Sequence, residues 1–260
     1  MTEPWDGGVV SERAQCLRED NPGHMTLDGT NTWMLREPGG ERSVVIDPGE
    51  LDQPHLDAVL AAAAPVALVI VTHRHHDHTD GAARFAEMAG CGVRGMDVEQ
   101  CVDTEPLRDG EVLEVDGLVL EVVFTPGHTT DSICLLLDAE RTLLTGDTVL
   151  GRGTSVVAHP DGVLASYLDS LDRMLALVGA GRVVRLLPGH GPVLEDARAV
   201  LEGYIAHRRE RLDQVRAAVA DGAVTVRGVV ERVYADVDEV LWPAAEMSVA
   251  AQLDYLAERG

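Results

Sequence analysis

The sequence predicts an α/β (α+β) protein with a small helical C-terminal appendage. Three observations lead there. Residues 1–50 break into short β-prone runs separated by turns, several later apolar runs end in loops bearing His or Asp, and composition turns helical from Leu194 onward. At 260 residues the chain can bury a core without covalent staples.

The elements follow in order. The runs VVSERAQCLRED, NPGHMTLDGTNT, WMLREP and SVVIDPGE read as a strand meander with turns between them. LDQPHLDAVLAAAA is helical, and Pro65-VALVIV-Thr72 is short, apolar and rich in β-branched residues, which suits a strand covered on both faces. Asp80 to Ala89 reads as a helix, and EVLEVDGLVLEVVF (111–124) as a hairpin turning at Asp116-Gly117. RTLLTGDTV and RVVRLLPGHG repeat the pattern of a strand ending in a polar loop. An Arg-rich amphipathic segment then runs to about Ala220, Gly222 breaks it, and two more helical stretches reach Gly260. Two units are expected, residues 1–195 carrying the motifs below and residues 196–260 forming the appendage.

Bulk properties narrow the function classes. With 21 basic and 44 acidic side chains the formal charge is −23, which argues against broad electrostatic binding of nucleic acid or an anionic membrane. Three Trp, four Tyr and two Phe leave few platforms for stacking bases. Cys16, Cys91, Cys101 and Cys134 show neither C-x-x-C spacing nor a histidine at zinc spacing, and read as reduced thiols. No run approaches the length of a membrane span and the first residues lack a secretory signal, so a cytoplasmic protein is expected.

The chemistry concentrates in Thr72-His73-Arg74-His75-His76-Asp77-His78-Thr79-Asp80-Gly81, directly after the buried strand. His73 and His75 project to one side of an extended loop, while Asp77 and His78 fall where the chain turns into a helix and address a second point nearby. So dense a cluster is costly to desolvate unless something binds it. Imidazole with carboxylate suits zinc, with iron or manganese as lesser alternatives. Later strand ends supply His128 in TPGHT, Asp147 in TGDT and His190 in PGHG, where Gly or Pro lets the backbone turn back across the strands. Asp47, closing the strand SVVID, is placed to orient a ligand histidine from behind.

HRHHDH, the GHT loop, the GDT loop and the late GHG loop, in this order, resemble the metallo-β-lactamase superfamily through residues 20–195. That resemblance implies a four-layer αββα sandwich with the site at one edge between two sheets. It implies two zinc ions: His73, His75 and His128 on the first, Asp77, His78 and His190 on the second, and Asp147 bridging. It also implies hydrolysis, with Asp77 orienting the attacking water and passing its proton to the leaving group. His76 matches a variable motif position and is expected either in solvent or supporting a ligand from behind. Oxygen-reducing diiron members carry glutamate where His75 stands, while iron-bound persulfide dioxygenases share the loop and differ by their metal.

NPGHMTLDGTNTWML and LGRGTSVVAHPDGVLASYLDSLDRML resemble the lactamase-beta-2 endoribonuclease group, and the tail resembles the winged-helix appendage of those proteins. This implies a single-stranded RNA substrate. The rival reading is a small ester or thioester, cleaved as by glyoxalase II, or a lactam cleaved weakly; a homodimer is compatible with either. His24, Asn31 and His159 are the candidate substrate contacts. Arg208, Arg209 and Arg211 alternate with acidic residues and are expected on a solvated helix face.

Overall fold

The computed structural model describes residues 4–259, so Met1 and Gly260, the outer bounds of the two expected units, lie outside the described residues. The predicted meander forms β1 (Gly7–Val9), β2 (Ala14–Arg18), β3 (Asn31–Leu35) and β4 (Ser43–Ile46), paired antiparallel in sequence order. β5 (Val66–Ile70) and β6 (Gly92–Arg94) then add in parallel. Parallel neighbours need crossovers, and helices supply them. α1 (Gln53–Ala63) joins β4 to β5; α2 (His76–Thr79) and α3 (Ala82–Ala89) join β5 to β6.

The second sheet runs β11-β10-β9-β8-β7, built from β7 (Val112–Val115), β8 (Leu118–Phe124), β9 (Ile133–Leu137), β10 (Thr142–Gly146) and β11 (Arg185–Pro188). Asp116 (φ 50°) and Gly117 (φ 94°) make the tight turn between β7 and β8, both in the left-handed region that a two-residue hairpin requires. α4 (Leu164–Gly179) is the crossover between the parallel pair β10 and β11. Sequence reading assigns no element to α4, because Val163 at its N-cap offers no capping side chain. Its buried Leu164, Tyr167, Leu171, Met174 and Val178 nevertheless keep helical spacing.

Side-chain alternation sorts the core into layers. Trp33, Leu35, Val44, Ile46 and Ile70 of the first sheet pack against Leu118, Leu120, Val122, Ile133, Leu135 and Leu144 of the second. The opposite face of the first sheet, with Met34, Val45 and Val69, is covered by Leu56 and Val59 of α1 and Phe85 of α3. The outer face of the second, with Cys134, Leu136, Leu143 and Leu186, is covered by α4 and by α5 (Ala197–Ala220). The order is helix, sheet, sheet, helix, as the resemblance implies. It explains why β3, β4, β9 and β10 are buried at every position.

After the Asp221-Gly222 break come α6 (Val226–Val233) and α7 (Trp242–Arg259). They pack with Val215 and Ala218 of α5 in a separate apolar cluster that includes Val229, Val230 and Val249. No helix among the described residues is long and apolar enough to cross a membrane.

Glu19, following β2, is 2% exposed and braces the loop after β4 by accepting from the Glu50 N–H at 3.1 Å and from Asn21 Nδ2 at 3.2 Å. Burial raises its carboxyl from 4.5 to about 7. Between those values the folded chain keeps a proton that the unfolded chain has released, so stability falls as pH rises through this window. Glu19→Gln is expected to flatten that decline and to stabilise the protein above pH 7 by about 1–3 kcal/mol. Unfolding midpoints measured from pH 4 to 8 check this; equal slopes in parent and variant would refute it.

Candidate metal centre

The donors arrive from the ends of four strands. β5 runs into His73 and His75, and the short turn of α2 follows with Asp77 and His78. β8 leads to His128, β10 to Asp147 and β11 to His190. All seven candidate metal residues meet at this edge of the sandwich. His73, His75, His128 and Asp147 bring donor atoms within 4.8 Å of one another, as do Asp77, His78 and His190.

His75 Nδ1 lies 3.0 Å from His73 Nε2 and 3.1 Å from His128 Nε2. In the second group His190 Nε2 is 3.2 Å from His78 Nε2 and 3.1 Å from Asp77 Oδ2. Asp147 reaches both groups, with Oδ2 at 3.9 Å from His128 Nε2 and 3.3 Å from His190 Nε2, and Oδ1 at 3.5 Å from His78 Nε2. Donor atoms on a tetrahedral ion with bonds of about 2.0–2.1 Å sit about 3.3 Å apart, close to these spacings.

The outward ring nitrogens explain why the inward ones present lone pairs. His128 Nδ1 donates to Val156 O at 2.7 Å and His190 Nδ1 to Gly29 O at 3.2 Å. His78 Nδ1 donates to Asp47 Oδ2 at 2.9 Å. His73 Nδ1 donates to Thr72 Oγ1 at 3.0 Å, and that hydroxyl passes its own proton to Asp47 Oδ2 at 2.7 Å. Asp47 also accepts from the Thr72 N–H at 2.7 Å, holding a left-handed φ of 51° to do so. The one Nδ1 proton His75 can carry serves at most one of its two imidazole neighbours, so lone pairs face each other unless a cation lies between them. Asp147 Oδ1, buried without a hydrogen-bond partner, is the kind of orphan a cation would satisfy. The donor set therefore fits a divalent metal site.

Electrostatics agree. Burial pushes His128 down to about 4 and His73 well below its ordinary value, leaving both neutral. Burial also opposes charge on His190, yet Asp147 and Asp77 overcome it and raise that group to about 9. His78 is likewise raised despite burial, by Asp147, Asp47 and Asp77. Desolvation acts against ionised Asp77, but His78 and His190 bring it to about 2. The carboxylates thus make a place where positive charge is favoured, and a divalent ion would displace the protons held there.

Close approach fixes Gly189. A methyl group there would strike Asp147 Oδ1 and come within 2.9 Å of His78 Cε1, so glycine is what lets the β11 loop lay His190 beside them.

Neither His24 nor His159 contributes a donor atom to this cluster, and Asn31 lies beside its His190 loop. His24 is exposed on the small turn bridged by Gly23 and Leu27. His159 turns toward the tail, with Nε2 at 3.1 Å from Asp254 of α7. Asn31 is sealed from solvent; its amide donates to Pro188 O at 3.0 Å and Gly191 O at 2.9 Å and accepts from Trp5 Nε1 at 2.9 Å. Through these contacts it braces the His190 loop. His76 is 90% exposed beside Asp80, as expected.

Arg208 corrects the sequence reading, since it is 7% exposed while Arg209 faces solvent. A signal for this exists in the sequence: Leu201, Tyr204, Ile205, Leu212 and Val215 form a helical stripe on which Arg208 falls. Thr72 is a further functional residue that sequence reasoning misses, and its only signal is that it directly precedes His73.

The profile of the Metallo-beta-lactamase superfamily matches residues 25–190, and that of the Beta-lactamase associated winged helix domain matches residues 225–260. The chain is 34% identical over 263 residues to the Beta-lactamase-like protein 2 homolog of Drosophila melanogaster, covering 92% of this chain and 86% of that one. It is 32% identical over 250 residues to an atrochrysone carboxyl ACP thioesterase of Aspergillus fumigatus, covering 87% and 75%. Among solved structures, a metallo-beta-lactamase family protein from Thermus thermophilus superposes with a TM-score of 0.81 over 97% of this chain and 95% of that one. At 23% identity that match is a likeness of fold.

Asp47→Asn would replace the oxygen that receives both Thr72 and His78, or turn an amide donor toward one of them. Divalent-metal affinity is expected to fall about 10- to 100-fold with the secondary structure intact. Competition against a chromophoric chelator, alongside circular dichroism, checks this; unchanged affinity would remove Asp47 from the site.

Proposed function

The chain belongs to the metallo-beta-lactamase superfamily, a family of hydrolases, and from that premise we propose that it is a dinuclear zinc thioesterase acting on a small acyl thioester. The observation that carries the dinuclear reading is Asp147, whose carboxylate touches both donor groups and keeps one buried oxygen without a hydrogen bond. His73, His75 and His128 would hold one zinc, Asp77, His78 and His190 the other, with Asp147 shared. When bound, paired zinc ions make a water nucleophilic near neutral pH and neutralise the oxyanion that forms on the attacked carbonyl.

The chain's own part is positional. The buried rings are locked from behind by Asp47, Thr72, Val156 O and Gly29 O, so the donors keep their geometry as charge develops. Asp77 is the more open carboxylate, 21% exposed against 10% for Asp147. Held ionised, its oxygen can take the proton released as water attacks and deliver it to the departing thiolate.

For the substrate, the acidic surface and scarcity of aromatic side chains favour a small acyl compound over a polynucleotide track. The thioesterase named among the relatives supports the same class. A second reading, hydrolysis of single-stranded RNA, draws on the NPGHMTLDGTNT segment that leads into Asn31.

An acyl-thioester and a labelled single-stranded RNA, offered to zinc-loaded protein under identical conditions, separate the two. Thioester turnover is expected, with a loss of at least about 100-fold in Asp147→Ala. RNA cleavage that disappears in that variant, without thioester turnover, would replace the first reading by the second. Metal analysis is expected to return two zinc ions per chain; iron together with persulfide oxidation would overturn the hydrolase assignment.

A further inference from the structure

We infer that Arg208 of α5 is a positioning residue for His128, so that the helical tail sets the geometry of the metal centre. The inference rests on the reading of His128 as a metal ligand. Arg208 lies in the apolar stripe of α5, 7% exposed, and no carboxylate among the described residues forms an ion pair with it. A buried guanidinium without a counter-ion carries a desolvation penalty, here with Nε left without a hydrogen-bond partner. Its contacts show what it is for.

One terminal nitrogen, Nη2, donates to Ser155 O, and the guanidinium lies over the Tyr167 ring with its carbon 5.0 Å from the centroid. Ser155 and its neighbour hold His128: Ser155 Oγ is 3.0 Å and Val156 O 2.7 Å from His128 Nδ1. Tyr167 in turn donates its hydroxyl to Thr148 O at 2.6 Å, the residue after Asp147. Arg208 therefore grips the backbone that fixes one donor and stacks on the ring that tethers the loop of another.

The gripped segment lacks the ladder hydrogen bonds of regular secondary structure. Residues 150–163 contain no helix or strand, yet they carry the carbonyl that sets the His128 ring. A strand could hold that carbonyl through its neighbours; a loop needs an outside donor, and arginine reaches it while filling the stripe with its stem. α7 meets the same loop, where His159 N donates to Met247 O at 3.3 Å.

Arg211 provides the control. It stands one turn along α5, lies over the Tyr234 ring at 4.7 Å and donates to Val233 O at 2.7 Å, with no hydrogen bond to the 150–163 loop. Metal-free protein would be titrated with zinc against a chromophoric chelator, and with cobalt for its ligand-field spectrum. Arg208→Met and His128→Ala are expected to weaken the same one of two binding steps, Arg208→Met by about 10- to 100-fold, and to alter the same cobalt bands. Arg211→Met should leave both steps and the spectrum unchanged, and Arg208→Lys should fall between parent and Arg208→Met.

If His128→Ala weakens one step and Arg208→Met does not, the inference fails while the metal reading stands. If His128→Ala changes neither step, both fail. Equal weakening of both steps by Arg208→Met and Arg211→Met would reduce Arg208 to a general packing role and overturn the inference. Should Arg208→Met not fold, Arg208→Lys decides: parental affinity and spectrum overturn the inference, selective weakening of the His128 step supports it.

Discussion

The constraint on which the structure turns is the convergence of seven donor side chains whose lone pairs face one another at one edge of the sandwich. Imidazole nitrogens stand 3.0–3.2 Å apart there, most of them on buried rings, with two carboxylates among them. Left to themselves such groups would rotate away, take up protons or draw in solvent. They are held because each buried ring is fastened at its far nitrogen. Asp47 shows how far the backbone goes to provide this, taking a left-handed conformation so that one carboxylate serves Thr72 twice and His78 once.

The sheets make that fastening rigid. Strand ends in a core covered on both faces cannot shift without breaking ladder hydrogen bonds and opening packed layers. Placing donors just beyond β5, β8, β10 and β11 transfers that stiffness to the site. Two of the parallel pairs, β4 with β5 and β10 with β11, set successive loops side by side, which is how Asp47 comes to lie behind the His73 loop and His190 beside Asp147. Gly189 removes the last steric obstacle.

Much of this can be read in advance because spacing carries it. The seven donors, the strand before each loop, the Asp116-Gly117 hairpin and the role of Asp47 all follow from local pattern, since His-x-His-x-Asp-His leaves few alternatives once a buried strand precedes it. What local pattern cannot supply is contact between segments distant in sequence. Asn31 spends its amide on carbonyls 157 and 160 residues away, and nothing near it marks that use. His159 lies within the gripped loop and faces α7, a contact between segments distant in sequence. Arg208 misleads for a related reason: charged neighbours suggest a solvated face, while the helical stripe through Leu201, Ile205 and Leu212 points inward.

The helical tail is therefore more than an attachment. α5 from Ala197 to Leu212 belongs to the layer over the second sheet, and Val215 and Ala218 to the cluster with α6 and α7, so one continuous helix of 24 residues is shared by two cores. Unfolding either end would disturb the other, and the guanidinium near the helix midpoint sits where both cores fix its position. The irregular loop that holds His128 is gripped by these helices, through Arg208 of α5 at Ser155 O and through Met247 O of α7 at the His159 N–H.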